Sequence, residues 1–306
     1  MVYHEIRESE GKMKNYLVYN SRENGRWVKK SKFIGYGHIA NKEVEKKKQE
    51  FEVEIAVSTP SENLTKEQLL KIEQLKRAYN KKVNSLSKEE FERFEQSFSI
   101  ELTYNSNAIE GSTLSLAETR LILSEGITPE GKTIREINEV KNHAEAIQFL
   151  KRYKGDINEE MILRLHSIIL NSISQAFAGR YRETSVRIFG SDVKFPDARI
   201  VPQLVKNLVY WYKKNKSKLH PFELAVIFSI RLVSIHPFVD GNGRTSRLLM
   251  NFLLNKKMYP WINIYVKHRA GYLKAVRQAN EGRYNPILEF CINSLEKNLK
   301  DFKILD

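Results

Sequence analysis

His236-Pro237-Phe238-Val239-Asp240-Gly241-Asn242-Gly243-Arg244-Thr245-Ser246-Arg247 is a polar loop set between two apolar runs. Upstream, residues 222–235 are almost wholly apolar, interrupted mainly by Glu223 and Arg231; downstream, Leu248-Leu249-Met250-Asn251-Phe252-Leu253-Leu254 opens a second run. Both predict core helices, and no packing requirement asks for the loop between them. Pro237 limits how far the first helix can extend. Gly241 and Gly243 let the backbone turn tightly, so that its N–H groups can point into one concavity. That concavity lies at the N-terminus of the next helix, where free amides and the dipole favour an anion. Arg244 and Arg247, three residues apart, emerge on a similar side of its first turn. With His236 as a potential base and Asp240 as a hard-metal ligand, the loop reads as a polyphosphate site with a base beside it.

The spelling has the form HPFx[D/E]GNGRxxR and resembles the signature of the Fic (filamentation induced by cAMP) family. The resemblance implies a mainly α fold, a Fic-type helical bundle with a β-hairpin flap. It also implies transfer of AMP from ATP to a protein hydroxyl. Glycine at 243 fits this, since the Doc-type kinase branch of the same superfamily carries lysine there.

The bulk properties are compatible. The chain has 306 residues, 41% hydrophobic and 29% charged, enough for one large domain or two. A single cysteine, Cys291, lies in an apolar run and reads as a small buried hydrophobe; it excludes a disulfide framework within the chain. No basic-then-apolar leader opens the sequence and no apolar run is long enough for a bilayer, so a cytoplasmic location without membrane contact is expected. The net charge of +14 is spread through the chain. Residues 1–56 hold twelve Lys or Arg against nine acids, the remainder thirty-nine against twenty-eight. One patch, 198–222, has six basic residues and no acid, which most simply makes a solvated face.

Residues 11–38 predict a small β element, with strand-like runs around Arg22-Glu23-Asn24-Gly25, a strong hairpin signal. A Lys/Glu-rich helix is expected over 41–54 and a linker over 58–63. This divides the chain into an accessory β/α region, 1–56, and a helical catalytic region, 57–306. Thr65 caps a helix running to about Asn84, and Ser87 with Glu90 forms a capping box for another. Apolar residues at three- and four-residue intervals predict helices over 114–123, 134–153, 158–170 and 205–211. The exception is 185–201, where 186–190 and 193–196 look like two strands around Gly190-Ser191-Asp192.

In the family such a hairpin is a flap over the active site, preceded by G-x-x-R, here Gly179-Arg180-Tyr181-Arg182. Ile188, Phe189, Gly190 and Ser191 would then receive a target segment as an added strand. A second short motif, Ser106-Asn107-Ala108-Ile109-Glu110-Gly111, matches the family's inhibitory [S/T]xxxE[G/N] pattern near 100–111. Ser106, Glu110 and Gly111 are its defining positions. In relatives its glutamate pairs with the second motif arginine, Arg247 here, which then cannot grip the γ-phosphate. Some members with this glutamate also remove AMP from the modified protein.

The roles implied by the resemblance are as follows. His236 takes the proton of a Ser, Thr or Tyr hydroxyl. Asp240 holds Mg²⁺ on the α- and β-phosphates of the co-substrate ATP. Gly241, Asn242 and Gly243, including the side chain of Asn242, cradle the α-phosphate. Arg244 and Arg247 hold the β- and γ-phosphates, and Thr245 and Ser246 complete the phosphate-binding turn. Tyr272 and Asn280 fall in a segment similar to the adenosine pocket; a core tyrosine and a helix-end asparagine are the competing assignment. Two other functions stay open from sequence: a catalytically quiet nucleic-acid-associated regulator with this fold, and transfer of a different nucleotide. The expected partners are ATP and a protein hydroxyl, including the chain's own, with nucleic acid and self-association undecided.

Overall fold

Alternating side chains near the N-terminus build a three-stranded antiparallel sheet in the computed structural model, which describes residues 2–9, 11–23, 26–58, 61–187 and 194–305. The strands are β1 (Val2–Ser9), β2 (Lys12–Glu23) and β3 (Arg26–Tyr36), in the order β1-β2-β3. Asn24 and Gly25 lie outside the described residues, but Glu23 and Arg26 pair across the expected turn. Strand β1 extends the expected hairpin to three strands. One face of the sheet packs Val2, Leu17 and Ile34 against Val44 and Phe51 of α1 (Asn41–Ser58), which runs past the expected end at residue 54. This makes a small core separate from the main one.

The main body is helical. Its first helices are α2 (Lys66–Val83), α3 (Lys88–Ile109) and the short α4 (Leu116–Arg120), which continues as a π-turn over Leu121–Glu125. Then come α5 (Ile134–Arg152), α6 (Glu159–Ile169), α7 (Val201–Asn215), α8 (Pro221–Ile235), α9 (Asn242–Asn255), α10 (Arg269–Asn280) and α11 (Asn285–Asp301). Thr65 with Gln68 and Ser87 with Glu90 form the expected reciprocal caps, each replacing orphan backbone donors at a gain of about 1 kcal/mol. The apolar runs on either side of the polar loop are α8 and α9. They pack on one another, with α3, α5 and α6 against α9 and α7, α10 and α11 against α8. Glu223, which interrupts the first run, is fully buried and accepts from the backbone and side-chain N–H of Asn63, at 3.0 and 2.7 Å. It therefore ties the end of the 58–63 segment to the core.

The 185–201 segment departs from expectation. Residues 185–187 and 194–197 are irregular, without strand pairing, and Ala198–Ile200 is a 3₁₀ turn leading directly into α7. Asp197 caps that turn through Arg199 N–H, which ends the extended stretch before residue 201. The flap positions Ile188, Phe189, Gly190 and Ser191 lie outside the described residues.

Candidate active site

The loop between α8 and α9 is shaped by two left-handed residues. His236 ends α8 at φ 50° and ψ 58°, and Gly241 precedes α9 at φ 75°. A non-glycine residue in the left-handed region is uncommon and needs support. That support comes from Arg182, the arginine of the G-x-x-R element, which is almost fully buried. Its backbone N–H donates to Pro237 O at 2.9 Å, and Nε donates to His236 O at 2.8 Å. The other guanidinium nitrogens donate to Thr184 O at 3.0 Å and Pro196 O at 2.6 Å. One side chain thus joins the loop to Thr184 and to Pro196.

The His236 ring is half-buried and stacks on Phe195, with centroids 4.0 Å apart. Nδ1 lies 3.3 Å from Val233 O, a group that can only accept, so the proton belongs on Nδ1 and Nε2 keeps its lone pair. Burial lowers its pKa to about 4, so the imidazole is neutral and competent as a base at neutral pH. A second histidine, His166 of α6, braces the loop from below. Its Nδ1 accepts from Gly179 N–H at 3.0 Å, its Nε2 donates to Asp240 O at 3.0 Å, and its ring stacks on Phe238 at 3.6 Å.

The Asn242 side chain is engaged within the loop. Its Oδ1 accepts from Phe238 N–H at 3.0 Å and its Nδ2 donates to Phe238 O at 2.9 Å, so the amide staples the loop shut. Ser246 and Thr245 are also turned inward and fully buried; the Ser246 hydroxyl donates to Gly243 O at 2.9 Å, and Thr245 N–H is bonded to Gly241 O. What faces outward at this helix end is the set of backbone N–H groups of Asn242, Gly243 and Arg244, which have no helical acceptor.

The place next to those amides is filled by a carboxylate of the chain itself. A Cβ built on Gly243 would lie 2.1 Å from Glu110 Oε1 and 2.9 Å from Arg247 Nη1. Glu110 is the C-cap of α3, one turn after Ser106, and its Oε1 accepts from Arg247 Nη2 at 2.8 Å. Arg247 is buried, and three further contacts hold it to Ser106: Nη2 to the carbonyl at 2.9 Å, and Nη2 and Nε to the hydroxyl at 3.1 and 3.2 Å. Burial alone would weaken its proton affinity, but Glu110 outweighs this and raises it. Gly111, in the left-handed region at φ 105°, turns the chain out of α3. Thr113 then donates through N–H and hydroxyl to Glu136 Oε1 at 2.8 and 2.7 Å, fixing the turn to the start of α5.

Four alternating charges close a ring beside this pair. Arg135 Nη2 is 2.6 Å from Asp240 Oδ2, and Asp240 Oδ1 is 3.2 Å from Arg244 Nη2. Arg244 Nη1 is 3.3 Å from Glu139 Oε1, which Arg135 Nε reaches at 3.2 Å. Burial pushes the Asp240 carboxyl up, yet Arg244, the Gly241 amide and Arg135 outweigh it, and its pKa is lowered. Asp240 is thus ionised, partly exposed and oxygen-bearing. Among the described residues no three or more His, Cys, Asp or Glu gather as a metal site. One carboxylate suits Mg²⁺, which commonly takes one or two carboxylates and completes its shell with water and phosphate oxygens, provided Arg135 yields Oδ2.

Sequence reading missed Arg135, Glu139 and His166, because their link to the loop is purely tertiary; the i,i+4 spacing of Arg135 and Glu139 is a common surface pattern. The adenosine candidates divide. Tyr272 is a buried wall residue beside Arg247, tilted against Phe290 at 5.8 Å, and burial raises its pKa. Asn280 ends α10 near the base, its Oδ1 accepting from the Ser234 hydroxyl at 2.5 Å.

Residues 156–254 match the model of the Fic/DOC family. The chain is 37% identical over 200 residues to the protein adenylyltransferase Fic of Drosophila melanogaster, covering 64% of this chain and 40% of that one. It is 36% identical over 201 residues to the protein adenylyltransferase Fic of Nematostella vectensis, covering 64% and 47%. The chain therefore spans less than half the length of these curated relatives. Among solved structures, Fic-1 (aa134 - 508) from C. elegans superposes with a TM-score of 0.70 at 27% identity, covering 86% of this chain and 77% of that chain. A Fic domain containing signalling protein from Bacteroides thetaiotaomicron gives 0.69 at 28% identity, covering 76% and 97%. No helix among the described residues is long and apolar enough to cross a membrane.

Proposed function

We propose that this protein is an autoinhibited protein adenylyltransferase, which moves AMP from ATP to a Ser, Thr or Tyr hydroxyl of a protein. The observation that carries this is the Glu110 carboxylate lying over Gly243 and against Arg247, an internal anion where a nucleotide phosphate would bind. Residues 57–306 are the catalytic unit and 1–56 an accessory region.

Once Glu110 leaves, the amides of Asn242, Gly243 and Arg244 face the α-phosphate, and Arg244 and Arg247 are free to grip the β- and γ-phosphates. His236 Nε2 takes the hydroxyl proton as the oxygen attacks the α-phosphorus. The bond from that phosphorus to the bridging oxygen breaks, and pyrophosphate leaves on the two arginines. A Mg²⁺ ion held by Asp240 would supply charge neutralisation on the phosphates when bound. Arg182 keeps His236 in its left-handed conformation, and the 185–196 excursion that it anchors would present the target segment. The Glu110 carboxylate has the chemistry to orient a water for the reverse hydrolysis.

The test is incubation of wild type, Glu110→Gly and His236→Ala proteins with ATP, CTP or UTP and Mg²⁺, read by intact mass. Gain of one AMP moiety in Glu110→Gly protein, with ATP alone, is expected. His236→Ala should lose about 10²–10⁴ in rate while still binding ATP. Retained transfer in His236→Ala protein removes the histidine from its role, and gain of another nucleotide replaces ATP as donor.

A further inference from the structure

The N-terminal sheet has a second face that the small core does not use. Strand pairing aligns Tyr3 with Val18 and Ser31, Glu5 with Tyr16 and Phe33, and Arg7 with Lys14 and Tyr36. Side chains directly opposite one another share a face, so these form the side away from α1. The contacts agree. Arg7 lies over the Tyr16 ring at 4.2 Å, Tyr16 meets Phe33 edge-on at 5.5 Å, and Phe33 meets Tyr36 at 4.9 Å. Asn20, on the same side, donates to the Tyr3 hydroxyl at 3.3 Å.

A sheet with one wet face usually alternates apolar-in and polar-out. Here the wet face is aromatic. Trp27 is 74% exposed, Tyr36 61%, Phe33 43% and Tyr3 41%. The face is also basic: Arg7, Lys12, Lys14 and Lys29 stand on it with one acid, Glu5. Glu5 is already shared between Arg7 at 2.7 Å and Lys29 at 3.2 Å.

We infer that this face is a stacking platform for single-stranded nucleic acid. Exposed flat rings ask for a ligand with unsatisfied π-faces, and an excess of cations asks for a repeating anion. Unpaired nucleotides combine the two, whereas a duplex hides its base faces. The lysine-rich end of α7 offers one strongly exposed ring, Tyr210, since Tyr212 is buried and Trp211 is covered by Arg231, so it lacks a set of rings. The inference does not rest on the proposed AMP transfer.

The experiment measures fluorescence anisotropy of a labelled oligothymidylate of about twelve nucleotides with the full chain, between about 50 and 200 mM salt. Four phosphate contacts at about 0.7 each predict a slope of log K against log salt near −3. Trp27→Ala should weaken binding by about tenfold, and Lys14→Glu with Lys29→Glu should flatten the slope. Lys213→Glu with Lys214→Glu, on α7, should leave affinity unchanged. Trp27 and Lys29 are exposed, and unchanged far-UV circular dichroism and an unchanged melting temperature would show that the variants fold. Absence of binding at low salt, wild-type affinity in Trp27→Ala protein, or a wild-type salt slope in the Lys14→Glu, Lys29→Glu protein overturns the inference. Equal or tighter binding of a duplex of the same length overturns the stacking platform. Displacement by polyglutamate as effective as by unlabelled oligonucleotide replaces nucleic acid with an acidic polypeptide.

Discussion

Replacing Glu110 by glycine should raise the proposed AMP transfer, and the size of the effect can be worked from the contacts. The lost interaction is one charge-assisted hydrogen bond at 2.8 Å to a buried arginine. Such bonds contribute about 1.5–3 kcal/mol. The Glu110 side chain is 40% exposed, so solvent screening places this one near the lower limit. About 1.4 kcal/mol corresponds to tenfold, and removing an anion from the phosphate position can only add to it. AMP transfer should rise by about tenfold or more, measured as the initial rate of intact-mass gain across an ATP series. Glu110→Gln separates the causes, because it keeps bulk over Gly243 while deleting the charge. It should fall between wild type and Glu110→Gly. Equal labelling of wild type and Glu110→Gly would refute the reasoning, since the carboxylate would then not oppose productive binding.

Arg135→Ala should tighten binding of Mn²⁺–ATP several-fold in calorimetry, because it frees Asp240 Oδ2; the pair is half-exposed, so a larger effect is not expected. Unchanged affinity would show that Arg135 does not compete for that carboxylate. Gly243→Ala should expel Glu110 and cost about 1–3 kcal/mol in chemical denaturation, with most of the cost gone in a Glu110→Gly background. Additive effects in that cycle would contradict the overlap. Burial holds the folded-state pKa of His236 and His166 at about 4 and of His143 at about 3. The unfolded chain binds protons from about 6.5 downward and the folded chain does not, so this stability is full above about 6.5 and lost as pH falls toward 4. Melting temperature should therefore decline steadily over that window; a rise on acidification would contradict it.

The loop was legible because its chemistry is contiguous: twelve residues carry the histidine, the carboxylate, the turn and both arginines. Ser106 and Glu110 were legible for a similar reason, being one helical turn apart. Two kinds of feature stayed hidden. The first needs tertiary contact: Glu139 and Arg135 meet the loop only when α5 packs on α9, and Phe195 stacks on a histidine 41 residues further along the chain. The second is a choice between equivalent partners. Asn242 is equally able to bind phosphate or the backbone, and its side chain is bonded to Phe238. Strand β1 escaped because Val2 to Ser9 carries few apolar residues, and its pairing depends on β2. The start of α7 escaped because Pro202 at its first turn reads as a breaker, although proline is well tolerated there.

The grip of Ser106 on Arg247 sets how fast the lock can open. Ser106 supplies three hydrogen bonds to the guanidinium and Tyr272 another, and none of them needs Glu110. Opening therefore needs no displacement of α3 and no repacking of the bundle. It needs a rotamer change in one side chain that already reaches solvent, an event of the picosecond-to-nanosecond range once its ion pair breaks. Restraint here is an occupancy, renewed continually, and wild-type protein should show a slow, steady background of turnover that rises with ATP concentration.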